Sequence, residues 1–208
     1  MRTNLFRTLR SVSPSRLLAF GLLALPLLAQ AHTGVENHIH TGFLAGFVHP
    51  LTGLDHLAVM LAVGVWSALA ARRAGPGLLW GPLGFAVMLL AGAVLGLQGV
   101  QLPAVEPMIA ASLLVTGLLV ISRWRVPGVA AALLVGVFAI FHGLAHGYEL
   151  ASASNAAITL AGMMAATLLL HIAGLAAGWA MRSANVWVPR LAGAGVAVFG
   201  AALLAQLA

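Results

Sequence analysis

The sequence contains no cysteine, no lysine and very few charged residues of any kind. Its 208 residues include ten arginines and four acidic residues, so 7% of the chain is charged, whereas a soluble domain carries about 25%. So few charges cannot cover a surface that faces water, which excludes a soluble globular protein. The absence of cysteine excludes disulfides, thiolate metal ligands and cysteine nucleophiles.

Hydrophobic residues, in contrast, make up 62% of the chain, and the mean hydropathy of +1.04 excludes a disordered protein. The net charge of +6 does not indicate nucleic-acid binding, because four of the ten arginines lie in the first 16 residues and basic patches interleaved with aromatic residues are missing. We therefore expect an integral membrane protein, with the lipid bilayer as partner and no nucleic-acid partner.

The first 31 residues have the layout of a secretory signal peptide. Residues 1–16 contain arginine and no acid, residues 17–29 are an apolar run, and Ala29-Gln30-Ala31 is a small-x-small triplet. The 13-residue run is too short to span a bilayer, which needs roughly 20 residues. Cleavage after Ala31 leaves His32 as the mature N-terminus; the alternative is an uncleaved first helix.

The rest of the chain predicts an all-α fold, a bundle of six transmembrane helices separated by breaks rich in glycine, proline and arginine. Residues 32–42 form a periplasmic, histidine-containing segment, and residues 43–208 form the transmembrane domain. The predicted helices cover about 43–70, 77–97, 105–122, 127–148, 155–181 and 187–206.

Arginines occur only in alternate loops of this domain. The first, third and fifth loops hold Arg72 and Arg73, Arg123 and Arg125, and Arg182 and Arg190, whereas the second and fourth hold none. The positive-inside rule places the arginine loops in the cytoplasm. We therefore expect a multi-pass protein of the bacterial inner membrane with both mature termini in the periplasm.

Seven ionisable side chains lie in or at the end of three predicted helices, and such groups are costly in a bilayer and are candidates for function. They are His49, Asp55 and His56 in the first helix, His142, His146 and Glu149 in the fourth, and His171 in the fifth.

Helical periodicity arranges most of these groups in stripes. At about 100° per residue, His49 and His56 share one face of the first helix. His142, His146 and Glu149, at i, i+4 and i+7, share one face of the fourth. Because these two helices run in opposite directions, as in a 3+3 inverted repeat, the two stripes are expected to meet in the outer half of the bundle.

The first helix also contains Pro50 and Gly53. Proline removes one helical hydrogen bond and releases the carbonyl of Gly46, and irregular backbone at membrane depth is tolerated where it lines a cavity. We therefore expect residues 46–53 to be distorted and to offer backbone oxygens near His49.

Imidazoles with carboxylates and no thiolate suit borderline divalent ions such as nickel, cobalt, zinc or copper(II). A single histidine in a helix is more often a hydrogen-bonded core residue than a metal ligand. For His171, a role in packing or gating is as well supported by the sequence as a role as a ligand. Met60 and Met164 are interpreted as core fillers or lipid-facing residues. The N-terminal histidines, His32, His38 and His40, form either an outer capture site or a solvated tail.

Two segments resemble the signatures of a known family. His49-Pro-Leu-Thr-Gly-Leu-Asp55-His56 is similar to the His-x5-Asp-His motif of the HupE/UreJ nickel/cobalt permeases, and Phe141-His-Gly-Leu-Ala-His-Gly-Tyr-Glu149 is similar to their second motif. The resemblance implies a permease, not an enzyme and without a resident cofactor, that imports Ni²⁺ or Co²⁺ for hydrogenase or urease maturation. Carried over by position, the metal path involves His49, Asp55, His56, His142, His146 and Glu149.

The sequence lacks the motifs of two other classes of function. The chain has no phosphate-binding Gly-x4-Gly-Lys loop and no His-Glu-x-x-His motif, which argues against ATP hydrolysis and metal-dependent hydrolysis. The remaining alternative is a metal- or haem-binding sensor or electron carrier that does not transport. The sequence leaves open the preferred metal, the energy coupling, a homo-oligomer, a periplasmic metal donor and the enzyme that is served.

Overall fold

The structure is a computed structural model that describes residues 42–208. The predicted signal peptide and residues 32–41, with His32, His38 and His40, lie outside the described residues. The described chain is helical and contains no strand, which confirms the all-α prediction. The helices are α1 (Phe43–Thr52), α2 (Leu54–Ala70), α3 (Trp80–Leu97, preceded by a 3₁₀ turn at Pro76–Leu79), α4 (Val105–Ser122), α5 (Gly128–Leu150), α6 (Ala156–Met181) and α7 (Trp187–Gln206).

Five of these helices, α3 to α7, are long and apolar enough to cross a membrane. Their charged residues lie almost entirely at their ends and in the loops, because lipid offers no hydration to a charge. The chain is therefore a multi-pass membrane protein with five spans, or six if α1 and α2 together form one.

The expected single helix over residues 43–70 is wrong. The chain breaks at Gly53, and α1 and α2 meet at an angle of 79°. α1 has ten residues and is about 15 Å long, half the thickness of the hydrocarbon layer. The predicted distortion of residues 46–53 is thus concentrated at Gly53, since the backbone remains helical through Thr52.

Local hydrogen bonds explain where α1 ends. The carbonyl oxygen of His49 accepts from the Gly53 N–H (3.0 Å) and from the Thr52 hydroxyl (3.1 Å). Gly53 itself has φ −75° and ψ 111°, which is extended rather than helical, so the next helix starts in a new direction.

Helix α6 supports both parts of the broken segment. The Gly42 N–H, just before α1, donates to Thr159 Oγ1 at 2.8 Å. Two glycines, Gly64 of α2 and Gly174 of α6, face each other at close range: a Cβ on Gly174 would lie 3.1 Å from the Gly64 Cα. α1 and α2 are therefore both held against one long helix.

The most extensive helix contacts are α3 with α5, α4 with α7, and α2 with α6. Count α1 with α2 as the first span, followed by α3, α4, α5, α6 and α7. If each of the first three spans is replaced by its counterpart in the last three, and the reverse, the α2–α6 pair becomes the α5–α3 pair. The α4–α7 pair stays the same. The three most extensive contacts are therefore symmetric under this exchange, as expected of a 3+3 inverted repeat.

One end of the bundle, which we call the arginine end, carries the arginine-containing loops. There the guanidinium of Arg182 donates to the carbonyl oxygens of Ala71 (2.9 Å) and Ala68 (3.2 Å) and stacks on Trp179, 4.3 Å from the ring centroid. It thereby satisfies carbonyl groups that the last turn of α2 leaves without helical partners.

We predict that Gly174→Ala destabilises the α2–α6 contact. The added Cβ would overlap the Leu61 carbonyl oxygen, and overpacking of this kind costs about 1–3 kcal/mol. Thermal unfolding in detergent should show a midpoint several degrees lower than that of the original protein. Gly77→Ala is the control, because no atom lies within 4 Å of its added Cβ; equal midpoints for both variants would contradict the packing.

Candidate metal centre

The bend at Gly53 brings together two histidines from the first motif. On a straight helix, His49 and His56 would be about 10 Å apart along the axis. In the structure their ring centroids are 5.5 Å apart, because His49 lies near the end of α1 and His56 lies in the first turn of α2. The expectation that they share a face of one helix is wrong, but the break brings them closer than that helix would.

His146 of α5 completes a group of three. Its ring centroid lies 4.9 Å from that of His49 and 4.7 Å from that of His56. Each of the three residues offers a nitrogen, and these atoms all lie within 4.8 Å of one another. His56 and His146 are buried, and His49 is half-buried. We call this group the three-histidine cluster.

The spacing of the cluster is slightly wider than a bound ion requires. Three nitrogens that bind one ion at about 2.1 Å each, spread evenly around it, are about 3.5 Å apart. The imidazoles therefore need to close by about 1 Å at the widest pair, which side-chain rotations can provide.

The proton on the His56 ring is positioned by its neighbour. Its Nδ1–H donates to Asp55 Oδ1 at 2.8 Å, and the same oxygen accepts the His56 backbone N–H at 2.9 Å. Because an ionised carboxylate can only accept, the lone pair of His56 is left on Nε2. That atom is buried and has no hydrogen-bond partner among the described residues.

Two histidines of α5 have the same arrangement. The Nδ1–H of His142 donates to the Phe138 carbonyl oxygen at 3.2 Å, and His146 Nδ1 lies 3.4 Å from Glu149 Oε2. Their Nε2 atoms are likewise buried without a partner in the described part of the chain. A buried polar atom left unpaired costs about 1–3 kcal/mol, a cost that a metal ion would offset.

The predicted site residues thus have different places in the structure. Asp55 and Glu149 contact the Nδ1 side of the imidazoles rather than the three-histidine cluster, and the Glu149 side chain is 52% exposed. His142 lies beside the cluster, with its ring centroid 5.4 Å from that of His56. A carboxylate that accepts a hydrogen bond from one ring nitrogen orients the imidazole and makes its other nitrogen a more basic metal ligand.

His171 is separated from the cluster by Phe85 of α3. The Phe85 ring centroid lies 5.7 Å from His142 and 5.2 Å from His171. Both ring nitrogens of His171 and the Oγ1 of Thr167, one turn earlier on α6, are buried and unpartnered within residues 42–208. Phe85 was not predicted, since one phenylalanine in an apolar span gives no signal.

Met60 and Met164, which the sequence analysis interprets as core or lipid-facing residues, differ in burial. Met60 is buried in α2, one turn after His56, as expected of a core filler, and Met164 is half-buried in α6. The chemistry of the site therefore comes from imidazole nitrogens supported by carboxylates, a donor set that suits borderline divalent ions.

The chain is similar in sequence to proteins of a known family. A family model described as HupE / UreJ protein matches residues 20–203. Protein HupE of Rhizobium leguminosarum bv. viciae is 43% identical over 184 residues, which cover 88% of this chain and 93% of that protein. No solved structure is significantly similar to the chain. The match over nearly the whole length, including both histidine motifs, shows that the chain belongs to the HupE/UreJ family.

Proposed function

We propose that this protein is a permease that imports Ni²⁺, with Co²⁺ as a second cargo, for maturation of a hydrogenase or urease. One observation carries the proposal: three imidazoles from two separate motifs converge inside a membrane bundle, with ligand atoms within 4.8 Å of one another. Membership in the HupE/UreJ family supports the same function.

The binding step exchanges water for imidazole. His49, the half-buried member of the cluster, is the first ligand that an ion meets, and the buried His56 and His146 then replace further waters. Asp55 and Glu149 offset part of the positive charge, which matters because a lone cation in low dielectric carries a large desolvation cost.

From the cluster, the ion moves toward the arginine end past buried polar atoms that have no partner among the described residues. His142 receives it next, and His171 with Thr167 lies beyond Phe85. Phe85 is fully buried and contacts both histidines, so its ring blocks a hydrated ion and has to move for transfer. An aromatic barrier of this kind would keep water and other hydrated ions from leaking through.

The membrane potential can supply the driving force. A divalent cation that moves inward gains about 4.6 kcal/mol per 100 mV, twice the value for one charge. Binding requires unprotonated imidazoles, which also permits exchange with protons; both forms of coupling are compatible with this site.

The orientation in the membrane is part of the proposal. A signal peptide over residues 1–31 exports the mature N-terminus, and the segment 32–42, with His32, His38 and His40, captures metal on the periplasmic side, directly or from a donor protein. The arginine end then faces the cytoplasm of a bacterial inner membrane.

We predict that Asp55→Asn weakens nickel binding roughly 10- to 100-fold, the usual effect of losing a carboxylate that orients a ligating imidazole. His56→Ala, which removes the ligand, should weaken it further. The measurement is competition with a nickel chelator on purified protein. Thr116→Val, in α4 with its hydroxyl bonded to the carbonyl oxygen of Ser112, is the control, and unchanged affinity in Asp55→Asn would contradict the assigned role.

We also predict that uptake of radioactive nickel and cobalt by cells without other importers is abolished by His56→Ala, Asp55→Ala and His142→Ala. Thr116→Val should transport normally at equal expression. Transport that survives all three substitutions would refute the site. Normal binding with no uptake even in the unmodified protein would instead favour a sensor or carrier that does not transport.

The orientation predicts the result of reporter fusions. A reporter placed after residue 75, 125 or 185 should be cytoplasmic, and one placed after residue 100 or 152 should be periplasmic, because arginine-rich loops stay on the cytoplasmic side. A periplasmic reporter after residue 75 would reverse the topology, and with it the direction of transport.

A further inference from the structure

A cavity of about 890 Å³ opens at the arginine end of the bundle, and none of its lining residues belongs to either histidine motif. It lies between the α2–α3 loop and the start of α5. Three arginines line it, namely Arg72, Arg73 and Arg125. None of the acidic residues in the described part of the chain is among its lining residues, so the positive charge of the cavity is not neutralised by the protein there.

A buried hydroxyl group lies at the cavity wall. Ser67 of α2 is 9% exposed, lines the cavity, and its Oγ has no hydrogen-bond partner among residues 42–208. A buried hydroxyl without a partner is unfavourable, and a rotation of the Ser67 side chain toward the cavity would let it donate a hydrogen bond to an acceptor that enters there.

The N-terminus of α5 supplies further donors. Pro127 precedes this 23-residue helix, and no side chain caps it. Gly128, its first residue, lines the cavity. The first N–H groups of a helix lack internal partners, and with the helix dipole they favour a bound anion.

Two tryptophans border the same space. Trp66 and Trp80 both line the cavity, and the Trp66 Nε1–H donates to the Trp124 carbonyl oxygen at 2.9 Å, which ties α2 to the α4–α5 loop. Tryptophan is enriched at the headgroup level of membranes. The cavity therefore combines cationic, hydrogen-bonding and interfacial features.

We propose that this cavity binds a phosphate-bearing anion, held by the three arginines, the Ser67 hydroxyl and the first N–H groups of α5. Two sources offer this chemistry: the headgroup of an anionic phospholipid and soluble phosphate. Basic pockets between transmembrane helices are known to bind anionic headgroups, and the volume is within the range of small-molecule sites. The proposal does not depend on which metal the protein carries.

The test is a binding measurement on the purified full-length protein. Native mass spectrometry would follow titration with short-chain phosphatidylglycerol, with phosphatidylcholine, whose headgroup is zwitterionic and has no net charge, as the comparison. A second arm would titrate inorganic phosphate without lipid and record protection against thermal unfolding. Saturable binding of one phosphatidylglycerol identifies the lipid source, and saturable protection by phosphate identifies the soluble one.

Variants locate the binding. Each arginine beside an anionic group changes affinity roughly fivefold, so replacing all three by glutamine should cost roughly a hundredfold. Arg125→Gln alone should cost about fivefold and guards against failure of the triple variant to fold. Arg190→Gln is the matched control, because Arg190 belongs to the same end of the bundle, stacks on Trp187 and does not line the cavity.

Ser67→Ala separates binding from a structural role. A hydroxyl that serves no ligand can be removed without loss of stability, since it is unpaired, whereas loss of a donor to phosphate should weaken binding severalfold. The proposal is overturned if neither ligand saturates, if phosphatidylcholine binds as well as phosphatidylglycerol and phosphate gives no protection, or if Arg190→Gln lowers affinity as much as Arg125→Gln.

Discussion

The hydrogen bond between a histidine Nδ1–H and an oxygen acceptor is the interaction on which the site depends. Asp55, Phe138 and Glu149 each provide such an acceptor, to His56, His142 and His146 respectively. Each bond leaves the lone pair on Nε2, deep in a bundle where water is scarce. A buried lone pair without a partner raises the energy of the empty site and favours an ion that can accept it.

The broken helix gives this chemistry its geometry. Two ligands seven residues apart cannot bind one ion on a straight helix, and the 79° bend at Gly53 removes that obstacle. The bend is stable because α6 holds both parts, through the bond from Gly42 to Thr159 Oγ1 and through the close approach of α2 at Gly64. Non-helical backbone at membrane depth is thus covered by protein, as the bilayer requires.

Acidic and basic side chains lie toward opposite ends of the helices. Asp55 and Glu149 lie near the three-histidine cluster. The arginines of residues 42–208 lie in or next to the loops at the opposite end of the helices, with Arg190 in the first turn of α7. Negative charge near the three-histidine cluster would stabilise a bound cation, whereas the positive charge of the arginine end would attract an anion. The proposed metal site and the proposed anion cavity follow this asymmetry and have no residue in common.

Composition and local pattern were sufficient to predict the helical fold, the bounds of α3 to α7 and the two histidine motifs, because apolar length and the rarity of charge are properties of single segments. A distortion of residues 46–53 also followed from Pro50 and Gly53, but the 79° bend, the convergence of His49, His56 and His146 and the position of Phe85 between His142 and His171 were decided only by tertiary structure. These features depend on which helices pack together, since the direction of α1 is set by its contacts with α6 and the role of Phe85 by rings on two other helices.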